Sequence, residues 1–298
     1  MTASRVQIVE VSPRDGLQAE ERTLSTATKL ELLDRLADAG HTAIEATSFV
    51  SPDAVPQLAD ADELMKHLRR RPGVRYPVLV PNQRGLERAL AAGAEELAVF
   101  VSASESYSRK NLRRGREEAI VTALAVVATA KARGLRVRGY VSMVIADPDD
   151  GPTDPLTVAQ IGARFLDAGV DELSLGDTIG AGTASHVRAL LAAQREAKIP
   201  VERIAVHFHD TYGQGLANVL TAIELGVATV DASIGGIGGS PFAKRASGNL
   251  ATEDVVWMLD GLGIASGVDV RKLAETTNWM ARQLGRDLPG RAARALFA

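Results

Sequence analysis

Hydrophobic and polar positions recur along this chain in one repeated unit. An amphipathic stretch ends in Ala-Gly or a near equivalent, and a short apolar, β-branched run follows. The unit is legible as LADAGHTAIEA around Gly40, ALAAGAEELAVF around Gly93, FLDAGVDELSLGDT around Gly169 and AIELGVATVDAS around Gly226. Glycine just past a helix is the usual left-handed stop, since it alone takes φ > 0 without a steric penalty. The runs that follow suit buried parallel strands. This reading predicts strands over 6–11, 43–49, 76–80, 97–101, 137–144, 172–175, 204–209 and 229–233. Helices are predicted between them, among others over 26–39, 117–133, 158–168 and 216–225. Eight strands alternating with helices predict the α/β class and a (β/α)₈ TIM barrel, formed as a single domain over 1–298 with an additional helical segment after Gly267. A doubly wound open sheet is the competing layout; it is disfavoured because no GxGxxG turn follows the first strand.

Composition narrows the function classes. The 298 residues are 46% hydrophobic and 24% charged, and 34 Lys and Arg against 37 Asp and Glu leave a net charge of −3. Such a balance argues against a nucleic-acid-binding surface, which shows as a strongly basic domain. With no cysteine, disulfides, thiolate metal sites and a cysteine nucleophile are excluded. The longest apolar stretch, 119–130, falls short of the roughly 20 residues that span a bilayer. Residues 5–11 already read as strand where a signal peptide would stand. The expectation is a cytoplasmic protein with neither a membrane nor a nucleic acid as partner.

In a barrel of this kind the chemistry sits at the carboxyl ends of the strands. Ser12–Gln18 follow the first strand there, Glu45 lies on the second, Asp177 ends the sixth, His207 and His209 sit on the seventh, and a glycine-rich stretch leads from the eighth towards Asn249. Two of the five histidines share one strand. Residues two apart on a strand face the same way, so both imidazoles are expected to face the barrel axis. With Asp15 and Asn249 on neighbouring rims, they make a set suited to a divalent cation such as Mg²⁺ or Mn²⁺. Zinc is the second choice, because an oxygen-rich set without thiolates favours six-coordination. Arg14 is either a surface ion pair with its neighbour or, beside a cation, a contact for an anionic substrate or a developing oxyanion. Glu45 and Asp177 leave largely apolar strands, where an unpaired carboxylate is costly; salt bridging, orientation of a histidine and proton transfer all remain open for them. The run Arg109–Arg116 is either a solvated basic turn or a contact for phosphates near a helix start, through Arg109 and Lys110.

These residues lie in segments that resemble the 3-hydroxy-3-methylglutaryl-CoA lyase family of the DRE-TIM metallolyase group. The segments are VEVSPRDGLQAE, IEATSFVSPDAVPQLAD, GYVSMVIADPDDG, LSLGDTIGAGT, VHFHDTYGQGLAN and ASGNLATEDVVWMLDGLGI, in order from Val9 to Ile264. Isopropylmalate and homocitrate synthases share the fold and the His-x-His but are less similar in SPRDGLQ, LGDTIG and SGNLATED. The resemblance implies that Asp15, His207, His209 and Asn249 ligate the divalent metal. It implies that Arg14 polarises a thioester carbonyl and steadies an enolate, that Glu45 and Asp177 act in the active site, and that His207 also takes part in proton transfer. The implied reaction is retro-Claisen cleavage of 3-hydroxy-3-methylglutaryl-CoA into acetyl-CoA and acetoacetate, as in leucine degradation and ketone-body formation, by a homodimer.

One position departs from the family. Its glycine-rich loop carries a catalytic cysteine in a context like GGCP, whereas this chain reads Gly238-Gly239-Ser240-Pro241. The glycines still suit a flap that closes on substrate, but a serine hydroxyl is a far poorer proton donor than a thiol of pKa near 8.5. Beside hydroxymethylglutaryl-CoA cleavage stand three other readings: a lyase for a related 3-hydroxyacyl-CoA, such as citramalyl-CoA or a longer chain; Claisen condensation in the synthetic direction; and a metal-binding barrel with weak or lost activity. Retention of Arg14, Glu45, Asp177 and the four ligands argues against the last.

Overall fold

The computed structural model describes residues 4–239 and 248–297. Eight parallel strands form one sheet: β1 (Gln7–Glu10), β2 (Thr47–Ser48), β3 (Val78–Leu79), β4 (Glu96–Ser102), β5 (Arg136–Ser142), β6 (Glu172–Asp177), β7 (Ile204–Phe208) and β8 (Thr229–Ala232). Their order is β1-β8-β7-β6-β5-β4-β3-β2. The ends meet where Glu10 bridges Ile44, with Glu10 N–H donating to Ala43 O at 3.0 Å and Glu45 N–H to Glu10 O at 2.9 Å. That contact closes the sheet into the (β/α)₈ barrel.

β2 and β3 are shorter than the predicted 43–49 and 76–80. Pro77 has no N–H for the ladder, and the flanking residues join through single bridges, Glu10 to Ile44 and Ala43 to Arg75. Helices α1 (Thr26–Asp38), α2 (Ala61–His67), α3 (Gln83–Ala91), α4 (Glu105–Leu112), α5 (Arg116–Lys131), α6 (Pro155–Asp167), α7 (Ala184–Glu196), α8 (Gly215–Glu224) and α9 (Thr252–Gly261) lie between and after the strands. The predicted helix stops are in place: Gly40, Gly93, Gly169 and Gly226 all have positive φ. Two more helices, α10 (Val270–Leu284) and α11 (Arg291–Leu296), extend the chain beyond the repeat as expected. A small antiparallel hairpin, Ala146–Asp147 with Gly151–Pro152, follows β5; the alternation pattern did not reveal it. Among the described residues, no helix is long and apolar enough to cross a membrane.

Outward-facing strand residues such as Ile8, Val99, Leu173, Leu175 and Phe208 pack in the main apolar core together with helix residues such as Leu32, Val127, Phe165 and Leu190. The interior of the barrel is different. There Arg138 hydrogen-bonds Asp231 at 2.6 Å and pairs with Glu172 at 2.7 Å, while Ser174 donates to Asp231 at 2.9 Å. Each charge inside the barrel has an opposite partner, which burial requires.

Candidate metal and substrate site

A wide turn over Ser12–Gly16 follows β1, in which the amides of Arg14, Asp15 and Gly16 all point to Val11 O at 2.8–3.2 Å. Helical widenings of this kind cluster at functional sites. Here the turn projects Arg14 and Asp15 together over the carboxyl end of the barrel. It needs a glycine at its end, because a Cβ on Gly16 would stand 2.8 Å from Ile237 Cγ1 and from Ser233 Oγ.

Asp15, His207 and His209 each offer a ligand atom, and the three atoms lie within 4.8 Å of one another. His207 Nε2 is 3.3 Å from His209 Nε2 and 3.8 Å from Asp15 Oδ2. His207 turns its other nitrogen, Nδ1, to the Asp231 carboxylate at 3.3 Å, so Nδ1 carries a proton. Burial works against charging His207, but Asp231 and then Asp15 outweigh it and raise its pKa. His209 goes the other way: burial, reinforced by His207, pushes it down to about 4, so it is neutral. Burial also disfavours charge on Asp15, yet Arg14 and the histidines hold it well below the usual carboxylate range. An anionic oxygen and two imidazoles converging in this way fit a divalent cation, whose binding displaces protons from the ligand nitrogens. Asn249, the fourth predicted ligand, lies against the cluster, its amide nitrogen donating to Asp15 Oδ2 at 2.8 Å and to Ile237 O at 3.2 Å.

Arg14 is locked beside this cluster. Its Nε and Nη2 both stand 2.6 Å from Glu45 Oε2, and Nη1 is 2.6 Å from Asp15 Oδ1. Of its five N–H donors, that leaves two for an incoming oxygen. The guanidinium lies 5.3 Å from the Tyr140 ring centroid, and Tyr140 donates its hydroxyl to Glu45 at 3.3 Å. Burial raises the Glu45 carboxyl above its ordinary pKa despite Arg14, which makes it a better proton acceptor than an exposed glutamate.

Asp177 is not brought into this group. In the parallel register Gly176 pairs with His207, whereas Asp177 pairs with Phe208, whose side chain belongs to the core outside the barrel. The Asp177 carboxylate instead accepts from Gly182 N at 2.7 Å and Ala181 N at 3.2 Å, ordering the turn after β6. Arg109 pairs with Glu105 on the surface of α4, its side chain 69% exposed, and does not line the cavity. Lys110 does line it, held by Asp149 at 2.5 Å, together with Asn111, Arg113 and Arg114. The basic mouth is thus formed one to five residues beyond Arg109. Ser240 lies outside the described residues.

Three groups escaped the reading of the sequence. Asp231 is a carboxylate in an apolar strand, the signal that singled out Glu45, and it escaped notice in β8. Arg138 and Tyr140 stand two apart on β5 and so share a face, as His207 and His209 do.

The cavity over the cluster measures about 800 Å³ and runs from Arg14, Asp15, His207 and His209 out to Lys110 and Arg114. Residues 5–280 match the HMGL-like family model. Mitochondrial hydroxymethylglutaryl-CoA lyase from Macaca fascicularis is 48% identical over 98% of this chain and 89% of its own. The crystal structure of hydroxymethylglutaryl-CoA lyase from Pseudomonas aeruginosa superposes with a TM-score of 0.96 at 44% identity, covering 99% of this chain and 98% of that one. An HMG-CoA lyase from Acinetobacter baumannii, solved with coenzyme A and 3-methylmalate, has a TM-score of 0.94 at 35% identity over 99% and 97% of the two chains.

Proposed function

From the premise that this chain belongs to the HMGL-like family and is a carbon–carbon lyase of the DRE-TIM metallolyase group, we propose that it cleaves 3-hydroxy-3-methylglutaryl-CoA to acetyl-CoA and acetoacetate. The observation that carries the proposal is the convergence of Asp15, His207 and His209 within 4.8 Å, in one cavity with a pre-paired Arg14. Asp15, His207, His209 and Asn249 would hold a divalent cation, Mg²⁺ or Mn²⁺. Bound there, the cation supplies Lewis acidity towards the substrate's hydroxyl oxygen and lowers its pKa.

The chain's own groups account for the rest. A base beside the cluster takes the C3 hydroxyl proton, a step in which the resemblance implies that His207 takes part; Glu45, fully buried behind Arg14, holds the guanidinium in place. The C2–C3 bond then breaks, its electron pair passes into the thioester, and negative charge develops on the thioester oxygen. The two free N–H donors of Arg14 are preorganised for that oxygen, since Glu45 and Asp15 fix the guanidinium and the site need not reorganise. Protonation of the enolate carbon completes acetyl-CoA. Asp177 supports the rim by holding the turn after β6. Lys110, Arg113 and Arg114 suit coenzyme A phosphates as charge-assisted donors, a role the sequence reading gave to Arg109 and Lys110. The proposal includes a cytoplasmic homodimer.

Purified protein supplied with hydroxymethylglutaryl-CoA and Mn²⁺ is expected to release acetoacetate. No acetoacetate, with turnover of another 3-hydroxyacyl-CoA, moves the assignment to the second reading, a related acyl-CoA lyase, which Ser240 in place of the family cysteine favours.

A further inference from the structure

The C-terminal extension is not needed to close the barrel, yet its residues 288–292 reach both ends of the connection between β8 and Asn249. At the near end, Gly290 N–H donates to Gly235 O at 2.9 Å. Gly235 N–H donates to Glu253 at 2.9 Å, and Glu253 in turn accepts from Thr277 Oγ1 of α10. Gly235 has φ +58, and a Cβ there would stand 2.8 Å from both Leu288 Cδ1 and Thr277 Cγ2. The chain can turn after β8 only because a glycine sits in this seat, and the extension builds the seat.

The far end is tied through Arg291. Its Nη1 donates to Asp210 Oδ2 at 2.9 Å. Asp210 directly follows His209, and its N–H donates to Gly248 O at 3.2 Å; the adjoining pair, His209 and Asn249, forms an isolated β-bridge. The extension is itself anchored, because Asp254 accepts from the amides of Ala292 at 2.6 Å and Arg291 at 3.2 Å. One short segment thereby grips the start of the connection at Gly235 and, through Asp210, the place where His209 and Asn249 come together.

We infer that residues 288–291 are a positioning element of the metal set, fixing the spacing of His209 and Asn249 without touching ion or substrate. The inference rests on the proposed reading of Asp15, His207, His209 and Asn249 as metal ligands. Gly290→Ala probes it directly, since a Cβ there would stand 3.0 Å from Gly235 Cα and 3.3 Å from Ala251 Cβ, forcing the two strips of chain apart. Groups that hydrogen-bond a ligand directly change metal affinity by about tenfold or more; residues 288–291 act one layer further out, through Gly235 and Asp210, so a smaller, severalfold loss is expected of Gly290→Ala. Arg291→Ala leaves a surface position, its side chain 64% exposed, and is expected to weaken binding about threefold, the size of a partly exposed ion pair, with Arg291→Lys restoring it.

The test is the dissociation constant for Mn²⁺, read by electron paramagnetic resonance on the full chain, alongside thermal unfolding and the Michaelis constants for metal and acyl-CoA. The expected result is a raised Mn²⁺ constant in Gly290→Ala and Arg291→Ala with a cooperative melt retained, and a Michaelis constant that rises for the metal but not for acyl-CoA. Wild-type affinity in both variants overturns the inference and leaves the metal reading standing. A wild-type chain that holds no Mn²⁺ overturns both. Should Gly290→Ala fail to fold, Arg291→Ala and its lysine rescue decide alone: unchanged affinity refutes the inference.

Discussion

At the scale of single residues, buried carboxylates set the state of the groups around them. Asp231 is fully buried, shared between Arg138, Ser174 and His207, and it fixes which nitrogen of His207 carries the proton. Asp231→Asn keeps the volume but removes the charge that favours the Nδ1 proton, so Mn²⁺ affinity is expected to fall about tenfold; unchanged affinity by titration would show that Asp231 serves only Arg138. A second pair lies behind the barrel wall, where Glu10 Oε2 stands 3.6 Å from His41 Nε2. Burial pushes Glu10 up to about 7 and His41 down to about 4. The two act in opposite directions. Glu10, raised from 4.5, favours the fold at low pH and loses that contribution as pH rises towards about 7; His41, lowered from 6.5, favours the fold at high pH and loses it as pH falls towards about 4. Each can contribute a slope of up to about 1.4 kcal/mol per pH unit, so they largely cancel between pH 4.5 and 6.5. Relative to wild type, His41→Leu is expected to gain stability on going from pH 7.5 to pH 5, and Glu10→Gln to lose it, as read from urea midpoints; the same sign in both variants would refute the opposition. Ser240→Cys is expected to raise turnover, and a slower variant would show that serine is adapted to its role. At this scale residue type and two-residue spacing pointed to the cluster of Asp15, His207 and His209 and to Glu45 beside Arg14. The sequence did not disclose Asp177's orientation, because which face of β6 a residue occupies depends on its register against β7.

Among the elements, α4 carries much of the cavity mouth and is held from outside. Ser104 caps it, accepting from Tyr107 N–H at 2.9 Å, and donates its own hydroxyl to Asp147 at 3.0 Å and Asp150 at 2.9 Å in the hairpin after β5. Asp150 also takes the Ser106 amide at 2.9 Å, and the hydrogen bonds from Ser106 bring its pKa down to about 2. Loss of such a cap costs about 1 kcal/mol. Asp150→Ala is therefore expected to raise the Michaelis constant for acyl-CoA severalfold with little change in kcat; a fall in kcat alone would place the hairpin's effect on the chemistry. Helices were readable from the sequence because glycine stops and apolar periodicity are local. The hairpin was not, since it pairs only two residues on each side, too few to show alternation, and its tie to α4 through Ser104 is made by side chains 43 to 46 residues apart in the chain; β2 and β3 were overestimated because Pro77 interrupts a ladder that composition alone would extend.

For the molecule as a whole, the barrel followed from one unit repeated in register, and its carboxyl-end rim followed from the fold. What pattern alone could not convey is how the interior and the C-terminal extension cooperate. A column of paired charges runs from Glu172 through Arg138 and Asp231 to His207, while residues 288–291 brace the segments after β7 and β8. Both converge on the same four side chains, and the catalytic account depends on those four holding a cation. The most direct measurement is acetoacetate release by enzyme stripped with a chelator and then resupplied with Mn²⁺. The account predicts that stripping abolishes turnover, that Mn²⁺ restores it in the wild type, and that it restores nothing in His209→Ala. Stripped enzyme that cleaves hydroxymethylglutaryl-CoA at the full rate would contradict it.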